Sequence, residues 1–174
     1  EDLLSGDEGQ DFLDGGQGHD ALLGGKGNDI LLGGVGADDL QGGDGDDTIE
    51  GGIGSDQLWG DAGIDTFVFN RGDGIDVIHD ADGNDIVRFK TGITLESITS
   101  EQSLSRAGER VLTVNYGLTD RLIINNGYET SIASYQFSDG TVVATNEFLA
   151  ATLSGPVDTV LNATQVTAYG SMFD

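Results

Sequence analysis

The chain has no cysteine, one proline and no long apolar stretch among its 174 residues. Without cysteine, disulfide bonds cannot stabilise the fold. A run of about 18 apolar residues is missing, so the sequence predicts no transmembrane helix. Basic residues are scarce, with 7 lysines and arginines against 31 aspartates and glutamates, and the net charge is −24. Such a charge repels nucleic acid and anionic membranes, so we predict that neither is a partner.

Sequence motifs of common catalytic and nucleotide sites are also missing. Neither an HExxH nor a GxSxG motif occurs. Lys26 is followed by Gly27, which excludes a phosphate-binding loop, and no helical period surrounds the glycines as a dinucleotide site requires. The segment from Asp80 to Thr91 begins like an EF-hand loop, but its twelfth residue is threonine where glutamate is needed. We therefore expect a non-catalytic chain.

Glycine is abundant, and it recurs with a strict nine-residue period. From Gly15 to Val68 six units follow one another without a gap: GGQGHDALL, GGKGNDILL, GGVGADDLQ, GGDGDDTIE, GGIGSDQLW and GDAGIDTFV. Weaker copies extend the pattern over residues 1–14 and 71–88, and Phe69 and Asn70 interrupt its frame. A period of this kind indicates a repeat architecture, although the glycine content alone would indicate disorder.

Two positions of the unit are filled in every copy. The sixth position is aspartate: Asp2, Asp11, Asp20, Asp29, Asp38, Asp47, Asp56, Asp65, Asp76 and Asp85. The eighth position is a large apolar residue: Leu4, Leu13, Leu22, Leu31, Leu40, Ile49, Leu58, Phe67, Ile78 and Val87. The glycines favour a tight turn, and the apolar position favours a short strand with one inward side chain.

A turn and a strand in nine residues make half a coil, so two units return the chain to its starting side. We therefore predict an all-β solenoid in which loops n and n+2 stack. The aspartates would form two rows, one of Asp11, Asp29, Asp47 and Asp65 and one of Asp2, Asp20, Asp38 and Asp56. Asp76 and Asp85 would continue these rows less regularly.

Stacked carboxylates repel one another unless a cation lies between them. Lys26 and Arg71 are the only basic residues of the loops, which is too few for ten aspartates. Carboxylates and glycine carbonyls are the oxygen ligands that Ca²⁺ takes in flexible geometry, whereas Mg²⁺ needs stricter octahedra and Zn²⁺ prefers histidine or cysteine. The alternative is a solvated acidic face with aspartates that form turns. Because one apolar residue in nine buries little surface, we predict that bound metal decides folding.

Residues 1–88 resemble the RTX, or haemolysin-type, calcium-binding repeats of proteins exported by type I secretion. The resemblance implies a right-handed parallel β-roll with several Ca²⁺ ions between loops n and n+2. It implies carboxylate ligands from Asp11, Asp20, Asp29, Asp38, Asp47, Asp56, Asp65, Asp76 and Asp85. It also implies carbonyl ligands from Gly16, Gly18, Gly25, Gly27, Gly34, Gly36, Gly43, Gly45, Gly52 and Gly54. Asp7, Asp61 and Arg71 depart from the double glycine that begins a unit.

Residues 89–153 lack the nonapeptide and contain short alternating runs with turn signals between them, which predict a small antiparallel set of strands. The expected strands lie near residues 111–116, 121–124, 133–137 and 141–143, and a short helix is expected over 146–152. Asn126-Gly127 is one of the predicted turns. The segment resembles the domain that follows the repeats in haemolysin-like proteins, through pieces such as GDG at 72–74 and FSDGT at 137–141. We expect it to cap the roll; an independent binding domain is the alternative.

Residues 154–174 are small and polar, and we interpret them as a linker, the start of another strand or part of a type I secretion signal. At the other end, Asp2 and Leu4 already occupy the sixth and eighth positions of a unit, so we expect the chain to be part of a longer protein. His19 and His79 are expected at the surface, and Trp59 is expected to pack against an adjoining segment or, alternatively, to stack on a carbohydrate.

Three functions fit these features. The first is a non-catalytic, monomeric calcium-binding module of a larger secreted bacterial protein (a toxin, exoenzyme or adhesin) that folds on calcium after type I secretion. The second is a carbohydrate-, surface- or ice-binding module that uses the outer face of the roll, although the seventh positions are irregular. The third is the tail of an enzyme whose catalytic part lies before Glu1.

Overall fold

A computed structural model describes residues 1–80, 84–106, 108–125 and 132–153. Three parts of the sequence predictions fall outside these residues: residues 81–83 of the last repeat copy, the turn at Asn126-Gly127 and the tail 154–174. Within them the chain is built mainly of β-strands, as predicted. None of the helices among the described residues has the length and hydrophobicity that crossing a bilayer requires.

Each copy of the nonapeptide contributes one strand. The strands are β1 (Leu3–Glu8), β2 (Phe12–Gln17), β3 (Ala21–Lys26), β4 (Ile30–Gly36), β5 (Asp39–Asp44), β6 (Thr48–Gly54), β7 (Gln57–Ala62), β8 (Thr66–Phe69), β9 (Ile75–Asp80) and β10 (Asp85–Phe89). The strands begin just after the sixth-position aspartate in most units, so the aspartates themselves lie in the turns. This placement follows from the glycines, because the turn needs backbone angles that residues with side chains rarely adopt.

Odd-numbered and even-numbered strands form two separate sheets. The order β1-β3-β5-β7-β9 runs through one sheet, and β10-β8-β6-β4-β2 runs through the other. All these neighbours are parallel, and equivalent residues pair across a distance of two units, as in Leu4 with Leu22 and Leu22 with Leu40. The chain is therefore a parallel β-roll of about five turns, which confirms the predicted stacking of loops n and n+2.

The eighth-position residues fill the space between the two sheets. From the second copy onward they have an exposed fraction of 8% or less: Leu13, Leu22, Leu31, Leu40, Ile49, Leu58, Phe67, Ile78 and Val87. Leu4, in the first described copy, is only partly buried. Since side chains alternate along a strand, the residues at positions seven and nine point outward. The predicted one-residue-per-unit core is thus confirmed.

Residues after the repeats continue both sheets. They form a 3₁₀ turn (Leu95–Ser97), β11 (Thr99–Leu104), β12 (Arg110–Asn115), β13 (Arg121–Asn125), β14 (Ile132–Gln136), β15 (Val142–Ala144) and α1 (Thr145–Thr152). The predicted strands and helix are present, and β11 is a strand that the sequence did not predict. Antiparallel pairing joins β11 to β12, β12 to β13 and β14 to β15.

The predicted antiparallel strands do not form a sheet of their own, because they belong to the two sheets of the roll. Strand β13 pairs in parallel with β9, and β14 pairs in parallel with β10. Strand β10 also crosses the predicted boundary at residue 88, since it ends at Phe89. The C-terminal segment therefore extends each of the two sheets of the roll beyond its last repeat strand.

Aromatic side chains join the core of the roll to that of the C-terminal segment. Phe89 lies 5.4 Å from Tyr116 and 5.4 Å from Phe137, measured between ring centroids. Further out, Tyr135 stacks on Phe148 of α1 at 3.7 Å. One continuous apolar core thus runs from the leucine column into the C-terminal segment.

Candidate metal centre

The sixth-position aspartates lie in the turns at the two edges of the roll and are linked along each edge. The backbone N–H of each, except the last aspartate of either edge, donates to Oδ1 of the aspartate one coil further on, at 2.6–3.1 Å. These bonds connect Asp11, Asp29, Asp47, Asp65 and Asp85 along one edge, and Asp2, Asp20, Asp38, Asp56 and Asp76 along the other. The structure therefore places the aspartates in the two expected rows, and the two-residue insertion does not interrupt either row.

These carboxylates are buried. From Asp20 onward every sixth-position aspartate has an exposed fraction of 3% or less, and Asp38, Asp56, Asp65 and Asp85 are fully buried. Only Asp2 and Asp11, in the first coil, retain more contact with solvent. A solvated acidic face is therefore the wrong interpretation of this column.

The second carboxylate oxygen supplies the test of whether a cation fits. Oδ2 is buried and accepts no hydrogen bond from the described residues in Asp11, Asp20, Asp29, Asp38, Asp47 and Asp56. A buried carboxylate oxygen without a donor costs several kcal/mol unless a positive charge compensates it. The side chains along the rows thus have the coordination capacity that a bound cation uses.

The donor set identifies the class of cation. Among the described residues no three acidic or histidine side chains converge closely enough to hold a metal by themselves. A site in either row must therefore combine carboxylates with backbone carbonyls, which is an all-oxygen set. Hard cations with six to eight flexible oxygen ligands, Ca²⁺ above all, suit such a set.

Glycine carbonyls are close at hand at the predicted positions. The carbonyl oxygen of most of these glycines faces the equivalent glycine one coil further on. A Cβ built on that later glycine would lie 1.4–2.2 Å from the carbonyl oxygen. This holds for Gly16, Gly18, Gly25, Gly27, Gly34, Gly36, Gly45 and Gly54. No such approach is present for Gly43 and Gly52 within the described residues. Coordination by any of these carbonyls stays a prediction.

The glycine that begins each unit has a role that the sequence did not reveal. A Cβ on Gly42 would lie 2.3 Å from Asp47 Oδ2, and one on Gly51 would lie 2.4 Å from Asp56 Oδ2. The carboxylate thus folds back over the first glycine of its own unit. The recurrence of this glycine in six consecutive units indicated that the position matters. The recurrence did not predict that a carboxylate lies against it.

Units that lack the second glycine keep the same turn. Asp7 and Asp61 adopt φ angles of 67° and 63°, the left-handed region that glycine occupies at this position elsewhere. Aspartate is one of the few residues that tolerates this region. The departure at Arg71 has a different consequence, because its guanidinium donates from Nε (3.0 Å) and Nη2 (2.6 Å) to the carbonyl of Gly92.

Burial changes the acidity of the aspartates. Loss of solvation, reinforced by repulsion from the preceding aspartate of the row, raises the pKa of Asp47 and that of Asp56 to about 6. The same causes raise the pKa of Asp76 to about 8. They also raise the pKa of Asp38. Without a cation, Asp38, Asp47, Asp56 and Asp76 therefore bind protons more tightly in the folded rows than free aspartates do.

Two further buried aspartates lie where the roll meets the C-terminal segment. Asp73 Oδ2 accepts the backbone N–H of Asn70 at 2.6 Å, and Asp120 Oδ2 accepts that of Gly72 at 3.0 Å. Both side chains are 5% exposed. Asp73 lies in the GDG piece that supported the resemblance of the flank, so a signal existed. The electrostatic interaction of its carboxylate with Asp120 could not be predicted from the nine-residue period.

Two glycine substitutions separate steric contact from backbone strain. Gly16 and Gly27 both have positive φ, 85° and 125°. A Cβ on Gly16 meets nothing within 4 Å, whereas one on Gly27 would lie 1.6 Å from the Gly9 carbonyl oxygen. We expect Gly16→Ala to lower the free energy of unfolding by about 1–2 kcal/mol, the cost of a left-handed residue. For Gly27→Ala we expect a loss of about 3–5 kcal/mol, because the backbone must also move. Urea denaturation in saturating calcium measures both, and equal losses would contradict the close approach of the coils.

His19 has no part in these sites. It is exposed, and the backbone N–H of Ala37 donates to its Nδ1 at 3.2 Å. This agrees with the surface position expected of it.

Comparison with protein families identifies the repeat. The family model described as "RTX calcium-binding nonapeptide repeat (4 copies)" matches residues 1–31, 32–67 and 72–92, together about half of the chain. No curated protein matches the chain. Repeats of this family bind calcium ions and occur in secreted bacterial proteins. With its parallel β-roll and two rows of buried aspartates, the chain belongs to the RTX calcium-binding nonapeptide-repeat family.

Proposed function

We propose that the chain is a non-catalytic module that folds on calcium binding as part of a larger secreted protein, a toxin, exoenzyme or adhesin exported by type I secretion. The observation that carries this proposal is the burial of the aspartate rows, in which six Oδ2 atoms accept no hydrogen bond from the described residues: those of Asp11, Asp20, Asp29, Asp38, Asp47 and Asp56. Such rows are unfavourable in the folded chain until a cation neutralises them.

Calcium concentration then acts as the signal for folding. Cytosolic calcium is too low to fill sites of extracellular affinity, whose Kd is about 10⁻⁴–10⁻³ M. The chain would remain unfolded before export, as a secretion channel requires, and would fold outside the cell. Because the sites exist only in the folded chain, the free energy of calcium binding becomes free energy of folding.

We assign the carboxylate ligands to the buried sixth-position aspartates from Asp11 to Asp85, and carbonyl ligands to the glycines at the second and fourth positions. The ions would lie between successive coils of each row. Support comes from the proximity of these groups along each edge. It also comes from the Oδ2 atoms that accept no hydrogen bond from the described residues, those of Asp11, Asp20, Asp29, Asp38, Asp47 and Asp56.

Residues 1–88 would be the calcium-dependent unit, and residues 89–153 would be its cap. Support for the cap comes from the parallel pairing of β13 with β9 and of β14 with β10, and from the aromatic contacts around Phe89. The cap would give the last coil a template on which it can fold, so its removal should weaken calcium binding by the roll.

The proposal is tested by circular dichroism with calcium, with EDTA and with magnesium. We expect strand content to appear cooperatively at millimolar calcium, and to be absent in EDTA and in equal magnesium. Calorimetry on the same samples counts the bound ions. A chain that keeps its full strand content and a cooperative melting transition after exhaustive chelation would show that calcium does not drive folding.

A further inference from the structure

The outer face of the sheet that contains β5, β7 and β9 carries an ordered aromatic pair. The ring of Trp59, on β7, stacks on the ring of His79, on β9, with centroids 4.5 Å apart and an interplanar angle of 11°. Both side chains are half-buried, although they lie on the outer side of the sheet. Neither contributes to the aspartate rows or to the leucine core.

Neighbouring amides hold the pair in place. His79 Nε2 donates to Gln57 Oε1 at 2.6 Å, and Asn125 Nδ2 donates to His79 Nδ1 at 3.2 Å. Asn125 belongs to β13, so the C-terminal segment fixes the imidazole that supports one face of Trp59. The indole is therefore pre-organised before any ligand arrives.

A shallow cavity of about 250 Å³ borders Trp59 on the side away from His79. Its lining consists of Ala21, Leu23, Asp39, Gln41 and Trp59. Leu23, Gln41 and Trp59 are aligned across β3, β5 and β7, and Ala21 is aligned with Asp39 in the adjacent row. The cavity thus runs across the strands, with the indole as its wall and the small side chain of Ala21 at its far end.

The chemistry of the lining selects the class of ligand. No basic side chain lines the cavity and the chain carries a charge of −24, so an anionic ligand is disfavoured. Gln41 donates from Nε2 to Asp61 Oδ2 at 2.5 Å, which fixes its amide beside the exposed carboxylate of Asp39. An aromatic face with amide and carboxylate groups around it matches the apolar ring face and equatorial hydroxyls of a sugar.

A protein partner fits this lining less well. Apart from the indole, Leu23 is the only large apolar side chain of the cavity, and it is 41% exposed. The core of a protein interface is usually more apolar and larger than this patch.

We propose that this cavity binds a neutral carbohydrate, with a pyranose ring stacked on Trp59 and its hydroxyls hydrogen-bonded by Gln41 and Asp39. Carbohydrate binding would be a function separate from calcium-dependent folding. The site rests on the proposed function only because the roll must be folded for the cavity to form. The ligand would lie across the strands, on the face of the sheet that is remote from the core.

Trp59 is the only tryptophan of the chain, so intrinsic fluorescence reports on this site alone. The folded protein in saturating calcium would be titrated with neutral oligosaccharides of glucose, galactose, mannose and N-acetylglucosamine. We expect a saturable change in Trp59 fluorescence with at least one of them. No response to any of these sugars, with the protein folded by circular dichroism, would overturn the proposal.

Variants locate the binding by calorimetry, since Trp59→Ala removes the fluorophore. We expect Trp59→Ala to weaken binding by roughly tenfold or more, through loss of the stacking surface, and Trp59→Phe to retain part of it. We expect Gln41→Ala to weaken binding by roughly threefold to tenfold, through loss of one hydrogen bond.

Leu32→Ala is the matched control, because Leu32 occupies the same ninth position on the outer face of the other sheet and is also half-buried. It should leave the affinity unchanged. Equal affinity of wild type, Trp59→Ala and Gln41→Ala would place any sugar binding elsewhere and overturn the proposal. Calcium-dependent circular dichroism of each variant shows independently whether the roll has folded.

Discussion

Replacing Asp47 with asparagine should raise the calcium concentration at the folding midpoint by at least about tenfold. Removing even an outer-shell partner of a metal ligand lowers metal affinity by about tenfold or more, and Asp47 is expected to be a ligand itself. Asp47 is 1% exposed and lies mid-row, between Asp29 and Asp65. Asparagine keeps the Oδ1 acceptor for the Asp29 N–H but replaces the charged Oδ2, which accepts no hydrogen bond from the described residues. The substitution therefore removes a ligand charge while it preserves the shape of the turn.

Asp44→Asn is the matched control for this substitution. Asp44 belongs to the same repeat, is exposed and lies three residues earlier, so the net charge changes by the same amount. We expect Asp44→Asn to change the free energy of unfolding by no more than about 0.5 kcal/mol, as most surface substitutions do. Calcium titrations followed by circular dichroism measure both midpoints, and calorimetry should find fewer bound ions only for Asp47→Asn. Similar midpoints for both variants would mean that overall charge, and not coordination, governs folding.

The repeat made the β-roll predictable because every unit has the same pattern of glycine, aspartate and apolar positions. A nine-residue period with one inward residue, such as Leu40, requires two units to a coil, and identical units pair in register without further information. The rows of aspartates follow from that register. The burial of the aspartates does not follow from the register, and neither does the contact of Asp47 Oδ2 with Gly42. A sequence pattern specifies the position of a residue along the chain but not how its side chain folds over its own turn.

The C-terminal segment was only partly predictable for the opposite reason. Its strands could be located by alternation, but no copy of each strand exists that would reveal its neighbour. The parallel pairing of Ile75 with Arg121 joins residues far apart in sequence, and β11 has mostly exposed side chains and no apolar alternation. The stack of Trp59 on His79 depends on both regions, because it needs the pairing of β9 with β13 to bring Asn125 to the imidazole.

Acidification should have opposite effects on the chain with and without calcium. Burial raises the pKa of Asp47 and Asp56 to about 6 and that of Asp76 to about 8 in the calcium-free fold. The unfolded value is about 3.9, so the folded chain binds protons more tightly than the unfolded chain. A raised pKa contributes stability that is fully present below the unfolded value and is lost as pH rises through the folded value. In EDTA we therefore expect strand content to rise as the pH is lowered from about 8 to about 5.

With calcium the sign is reversed, because the ion binds the carboxylate and not the carboxylic acid. Protons then compete with calcium for the same oxygens, and each proton bound to a ligand weakens the site. At a fixed, near-saturating calcium concentration we expect the melting temperature to fall over the same pH interval, as the aspartates with pKa near 6 become protonated. Circular dichroism across a pH series measures both slopes, as strand content in EDTA and as melting temperature with calcium. Slopes of the same sign would show that the buried carboxylates are not the groups that calcium neutralises, whatever the metal content of the folded chain. Asp47→Asn provides the internal check, since it removes one titrating group and should reduce both slopes.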